Sequence, residues 1–242
     1  MIKAVLIDFG NTLMRQRTKE TELFDRGVRN LAKYLRKKGY KPSFKKLRQV
    51  EAELRDEASR FRDKTSIEVE AADKMAVLLN TVGIHVNPKD ELTTGAVLAF
   101  YKPIIDDMAL YQDSMEFLRA LKKDGYKLAL VSNAASDLAV RKAAKQLGIA
   151  KFFDTIVISS QVGIRKPNSA VYMEALNALK VKPSEAVFIG DLISTDITGA
   201  KQLGMKAILK INAFSNIKTS LPDAVVTSLK DAIKIIAEWK KI

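Results

Sequence analysis

The sequence predicts an α/β fold, a Rossmann-like doubly wound parallel sheet with an α-helical insert near its start. Three observations predict it. A short apolar run at residues 3–8 (KAVLID) reads as a strand buried on both faces. Residues 15–106 then keep a helical period, broken only at turn residues. From residue 107 onward helix-like and strand-like segments alternate, which implies parallel strands joined by crossover helices.

After the first strand comes the loop Phe9-Gly10-Asn11-Thr12. In the insert, Leu23, Val28, Leu31 and Leu35 form one apolar stripe, and Leu47, Val50 and Leu54 a second. Residues 71–82 and 92–101 supply a third and a fourth helix. Pro42-Ser43 and Asn87-Pro88 mark turns between them. Met75, Leu78 and Leu79 are expected in the core of the insert, and Tyr34, Tyr40 and Phe44 buried on its helices. The second half reads as a helix at 114–123, a strand at 127–132 (KLALVS) and a helix to 148 capped by Asp137. A strand at 154–159, a helix at 170–179 and a strand at 186–190 (AVFIG) follow. The chain then reads as a helix at 195–203, a strand at 206–209, a short edge strand at 224–226 and a last helix at 229–239 anchored by Trp239. The expected division is a catalytic core of residues 1–14 and 107–242, with residues 15–106 as a helical cap.

Composition narrows the chemistry. The chain has 242 residues, 47% of them hydrophobic, which suffices for a sizeable core. No apolar run nears the ~20 residues of a membrane helix, and the first one breaks at Asp8, so a soluble cytoplasmic protein without a membrane role is expected. There is no cysteine and one histidine, His85. Disulfides, thiolate metal sites and cysteine nucleophiles are excluded, and His85 lies far from any nucleophile motif. Covalent chemistry must run on carboxylates, lysines or hydroxyls. The net charge is +13, and residues 15–64 hold 17 Lys and Arg against 8 Asp and Glu. Such a stretch attracts anions, but its acids interleave with its bases at helical spacing, as on a solvated helix face. It carries no nucleic-acid motif and no aromatic interleaving, so nucleic acid is not the expected partner.

Ligands of an open parallel sheet bind beyond the carboxyl ends of its strands. There this chain puts Asp8, Ser132-Asn133 and Asp191, with Lys166-Pro167 in the loop after another strand. An Asp after a strand is commonly only a turn or cap residue, so the weight lies in the combination. Asp8-Phe9-Gly10-Asn11-Thr12-Leu13, Ser132-Asn133, Arg165-Lys166-Pro167 and Gly190-Asp191-Leu192-Ile193-Ser194-Thr195-Asp196 resemble the four ordered motifs of the haloacid dehalogenase-like hydrolase superfamily. The resemblance covers the core; the insert resembles the family's cap in position and helical character.

The resemblance implies a phosphatase that forms an aspartyl-phosphate on Asp8, with a small phosphorylated metabolite as substrate. It implies Mg²⁺ held by Asp8, the backbone carbonyl of Gly10 and Asp191, with Asp196 a further ligand or a partner orienting Lys166. Ser132, Asn133, Asn11 and the Gly10 backbone would hold phosphoryl oxygens, and Lys166 would neutralise their charge. Thr12 is read as fixing the loop.

One position departs from the pattern. Two residues after the nucleophile most phosphatases of the family carry a second Asp as general acid and base; here it is Gly10. Asn11 cannot replace it, because an amide does not exchange protons at neutral pH. Three readings stay open: a phosphatase whose proton comes from the cap, a water or the substrate; a dehalogenase; or a non-catalytic member that binds phospho-ligands or a protein. In the dehalogenase branch the acid at the Asp191 position is absent, and this chain keeps it. Arg15 and Arg17 could meet a second anionic group of the substrate or be solvated hinge residues, and Glu20 or Glu22 could replace the missing acid.

Overall fold

The apolar run at the N-terminus forms β1 (Ala4–Ile7), with all four residues buried. In the computed structural model, which describes residues 1–211 and 220–241, β1 lies inside a six-stranded sheet. Its neighbours are β4 (Lys127–Ser132) and β6 (Ala186–Gly190). Outside them lie β5 (Thr155–Ile158) on one side, then β7 (Lys206–Lys210) and β8 (Ala224–Val226) on the other. The order is β5-β4-β1-β6-β7-β8, and every pairing is parallel. The fold is thus the expected α/β, Rossmann-like one. Residues of the central strands are buried on both faces, which is why they read as unbroken apolar runs.

Helices α5 (Ser114–Lys123), α8 (Ser169–Leu179) and α10 (Leu229–Lys241) accompany this sheet. Val171, Tyr172, Leu176 and Leu179 of α8 join Leu6, Val131 and Phe188 in one apolar cluster. Trp239 is half-buried, with the Lys206 ammonium 5.3 Å from its ring centroid. Helix α6 (Asp137–Gln146) begins at Asp137, so that residue is not its cap. The hydroxyl of Ser136 accepts from the Ala139 N–H instead, at 3.2 Å. The helix expected at 195–203 is also divided: a wide turn over Ile193–Ile197 precedes the short α9 (Thr198–Gln202). The strands β2 (Met14–Gln16) and β3 (Met108–Leu110) pair in a separate sheet. Three residues each are too few to show an alternation in the sequence. A short α7 (Ser159–Val162) follows β5.

The described residues form two compact units. One holds Met1–Arg15, Ala109–Asn133 and the described residues from Ala144 onward; the other holds Gln16–Met108 and Ala134–Ala143. The second is helical, built from α1 (Glu20–Lys37), α2 (Phe44–Thr65), α3 (Ala71–Thr81) and α4 (Glu91–Asp107). The Ala71 N–H donates to the Ala135 carbonyl at 2.7 Å, tying the segment after β4 to α3. Met75, Leu78 and Leu79 lie in the apolar centre of this unit with Leu31, Leu35 and Phe100. Tyr34 and Phe44 pack against that centre, but Tyr40 is exposed. It lies beyond the end of α1, where Gly39 turns the chain at φ +90°, so no helix face is left to bury it.

Several arginines of the basic stretch find partners within the helical unit. Arg26 meets Glu22, Arg48 meets Asp25, and Arg55 meets Glu51. Arg29 lies over Phe44 and Arg55 over Phe24, at 5.6 and 4.6 Å from the ring centroids. Glu22 is held in this way by Arg26, and His85 is exposed beyond α3. No helix among the described residues is long and apolar enough to cross a membrane.

Helices α1 and α4 approach closely because glycine sits at their contact. A Cβ on Gly27 would lie 2.9 Å from the Phe100 carbonyl oxygen and 3.0 Å from its ring. Gly27→Ala should therefore destabilise the protein although alanine is the better helix former, by about 1–3 kcal/mol of overpacking against roughly 1 kcal/mol of propensity. Thermal unfolding followed by circular dichroism would show a lower Tm; an unchanged or higher Tm would mean that α4 moves away at no cost.

Candidate active site

The register of the sheet assembles this site. β4, β1 and β6 run side by side in the same direction, with Ile7 level with both Leu130 and Ile189. The residues that follow their carboxyl ends are therefore neighbours: Asp8 after β1, Ser132-Asn133 at the end of β4, and Asp191 after β6. The Asp8 N–H donates to the Ile189 carbonyl at 2.9 Å, which extends the ladder one step into the loop. There the chain turns, helped by Asn11 at φ +53°, a left-handed conformation that asparagine tolerates.

Lys166 reaches this point from the loop after β5. Its ammonium bridges the carboxylates of Asp8 and Asp196, with 2.7 Å to an Oδ1 of each, and donates to the Val131 carbonyl at 2.9 Å. The side chain is 2% exposed, so the two carboxylates and the carbonyl replace its water. Its backbone is clamped as well. The Asn133 amide accepts from the Lys166 N–H at 2.8 Å through Oδ1 and donates to the Lys166 carbonyl at 3.0 Å through Nδ2. The Asn133 side chain thus holds Lys166, and its backbone is what remains for an anionic ligand. Asp8 Oδ2 accepts from the Thr12 hydroxyl at 3.2 Å.

Both carboxylate oxygens of Asp196 have partners in the protein. One oxygen meets Lys166, and the other accepts from the N–H groups of Asp191 and Leu192 at 3.1 Å each. Its turn is held from α8, where the Tyr172 hydroxyl donates to the Thr195 carbonyl at 2.6 Å. Gly190 leaves the room this requires, since a Cβ there would run into the Asp196 side chain. Tyr172 does not stand out in the sequence, because it acts on a backbone carbonyl.

Burial pushes the Asp8 carboxyl up to about 7; the Lys166 ammonium opposes this, and Asp196 and Asp191 add to it. Burial works against the Lys166 ammonium too, but Asp196 and Asp8 outweigh it and hold its pKa above the ordinary lysine range. Asp191 is raised by burial and then by Asp196, with a hydrogen bond from the Asn11 side chain acting the other way. Asp8, Asp191 and Asp196 each offer an oxygen, all within 4.8 Å of one another. Three carboxylates against one bridging ammonium leave an excess of negative charge in a buried space, and hard oxygen donors of this kind suit a divalent cation such as Mg²⁺. At Gly10 there is space: a Cβ would meet nothing nearer than Met14 Cε at 4.0 Å.

Comparison with known proteins identifies the family. Residues 2–204 match the haloacid dehalogenase-like hydrolase family. The glyceraldehyde 3-phosphate phosphatase of Methanopyrus kandleri is 29% identical over the full length of both chains. A 2-haloacid dehalogenase structure from Pseudomonas syringae superposes with a TM-score of 0.70 at 25% identity, over 99% of this chain and 100% of the other. A phosphatase structure from Thermococcus onnurineus gives 0.67 at 24% identity, over 97% and 98%, and shares the fold. With the family matched across most of its length, and the four motifs converging at the ends of adjacent parallel strands, this chain belongs to the haloacid dehalogenase-like hydrolases.

Proposed function

We propose that this protein is a Mg²⁺-dependent phosphatase that takes the phosphoryl group of a small phosphorylated metabolite onto Asp8. The observation that carries this reading is the Lys166 ammonium held between Asp8 and Asp196 at 2.7 Å each. It keeps a carboxylate oriented at the carboxyl end of β1 and places beside it a positive charge that offsets that of a phosphoryl group. The full-length likeness to a glyceraldehyde 3-phosphate phosphatase supports a short phosphorylated substrate.

In the reaction an Asp8 oxygen bonds to phosphorus as the ester oxygen leaves. The Ser132 hydroxyl and backbone N–H groups of the loops hold the equatorial oxygens while the Lys166 charge offsets theirs, and such positioning and charge stabilisation are most of what phosphoryl transfer requires. Asp8, the Gly10 carbonyl and Asp191 would hold Mg²⁺, whose charge would offset that of the nucleophile and the phosphoryl group. Asp196, with both oxygens engaged, orients Lys166 rather than serving as a ligand. Gly10 gives the departing oxygen no proton, so leaving groups that need none are favoured. In this reading the helical unit is the family's cap, and the exposed Arg15 and Arg17 are open either to solvent or to a second anionic group of the substrate.

The likeness to a 2-haloacid dehalogenase raises a second reading, displacement of halide by Asp8. The acid retained at Asp191 argues against it. Halide release from 2-haloacids without metal would reverse the choice.

A panel of phosphorylated metabolites, assayed with and without Mg²⁺, tests the proposal. Turnover should require Mg²⁺ and vanish in Asp8→Asn; activity that persists in Asp8→Asn would rule out the aspartyl-phosphate. Aryl and acyl phosphates should be cleaved faster than alkyl phosphates, and Gly10→Asp should raise alkyl-phosphate turnover by roughly 10²-fold, the low end of general acid–base assistance. If no phosphate ester is cleaved and Gly10→Asp changes nothing, the protein is a binding module instead. Lys166→Met, which keeps the buried stem and removes the charge, should lower kcat by on the order of 10²–10³. A loss confined to KM would mean that Lys166 only binds substrate.

A further inference from the structure

Lys210 lies outside the four motifs, and the mechanism above does not use it. It is the last residue of β7, on the far side of β6 from β1, and is 4% exposed. Its ammonium donates to the Asn11 carbonyl at 3.1 Å and lies 3.6 Å from the centroid of the Tyr111 ring. No carboxylate among the described residues is within ion-pair distance of it. Asp113 and Asp191 act on it only at longer range, and burial is the larger effect, holding its pKa below the ordinary lysine range. An ammonium buried without an ion pair is costly. A hydrocarbon side chain would fill the same space against Tyr111 without that cost, so packing alone gives no reason for a lysine.

What the lysine adds is a grip on the loop after the nucleophile. The carbonyls on either side of Gly10 are both fixed. That of Phe9 accepts from the N–H groups of Leu13 and Met14 at 3.1 and 3.2 Å, within the turn itself. That of Asn11, where the chain is left-handed, is held only from β7 among the described residues, by Lys210. With both neighbours fixed, the peptide planes at Gly10 have little freedom.

We propose that Lys210 is a positioning residue: by holding the Asn11 carbonyl it fixes the Gly10 turn, and with it the backbone that faces the phosphoryl group and Mg²⁺. This rests on the phosphatase reading for the meaning of the turn. Lys210 touches no reacting atom; it acts through Asn11.

Lys210→Met tests this, because it keeps the stem against Tyr111 and removes the donor. A small misplacement at a reacting centre typically acts on kcat, so kcat should fall by about 10–100-fold while KM stays within about threefold. Lys210→Arg should restore most of the loss. A second readout needs no substrate: the rise in Tm that Mg²⁺ produces should shrink by about half or more in Lys210→Met, because ion binding to the folded state is what raises Tm. The sign of that change is decisive. If Lys210 were only a charge near Asp191, removing it would strengthen Mg²⁺ binding and enlarge the rise, which would overturn the proposal. So would an unchanged kcat with an unchanged rise. If Lys210→Met does not fold, Lys210→Gln, neutral and with a shorter reach, is read by the same two measures. A wild-type protein that Mg²⁺ stabilises but that cleaves no phosphate ester would sink the phosphatase reading alone, and the Mg²⁺ comparison would still decide on Lys210. If Mg²⁺ does not stabilise the wild type, both fall.

Discussion

The ammonium of Lys166, shut away from water between Asp8 and Asp196, is the interaction on which the rest of the site depends. A buried cation is tolerable only with close, well-aligned partners, and removing one partner of such a group commonly costs about 3–5 kcal/mol. Its partners come from three separate parts of the chain: the end of β1, the wide turn after β6, and the carbonyl of Val131 in β4. All three must arrive in register. The parallel ladder β4-β1-β6 sets that register, and the apolar faces of the strands lock it, since a slip of one residue would turn their buried side chains to the other face.

Around this ion triad the fold uses groups that have no chemistry of their own. Asn133 grips the backbone of Lys166 on both sides of its peptide. Tyr172 holds the turn that carries Asp196, and its ring packs edge-on against Phe188, 5.1 Å between centroids. Gly190 and Gly199 are glycine because neighbours occupy the space of a side chain: Asp196 at the first, the Tyr172 hydroxyl at the second.

The acids are unevenly committed. Asp196 has both oxygens engaged by the protein, whereas Asp191 is restrained mainly through Asn11. In the proposed reading, that asymmetry separates a carboxylate that organises from one left to coordinate. Gly10 fits the same picture. Its backbone stands between two fixed carbonyls while its side-chain space is open, so the loop keeps the means to orient a ligand and lacks a group to move a proton.

The core strands, the helical character of the insert and the residues gathered at the strand ends were legible in the sequence. Apolar runs, helical periods and Asp, Ser, Lys and Asp after successive strands are local signals. The excluded chemistries followed from composition, through the absence of cysteine and the single histidine. Tertiary structure decided what depends on contact across the chain. Whether Tyr40 is buried turned on where α1 stops, and the cap of α6 on which hydroxyl, that of Ser136, meets the first free N–H groups. Asn133 became the clamp of Lys166 only once β4 and the loop after β5 stood side by side. Lys210 carried no signal at all: a lysine at a strand end reads as a solvated residue, and only the sheet brings it beneath Asn11, 199 positions away in the chain. Periodicity records which face of an element is apolar. It holds no record of which distant backbone oxygen a side chain will meet.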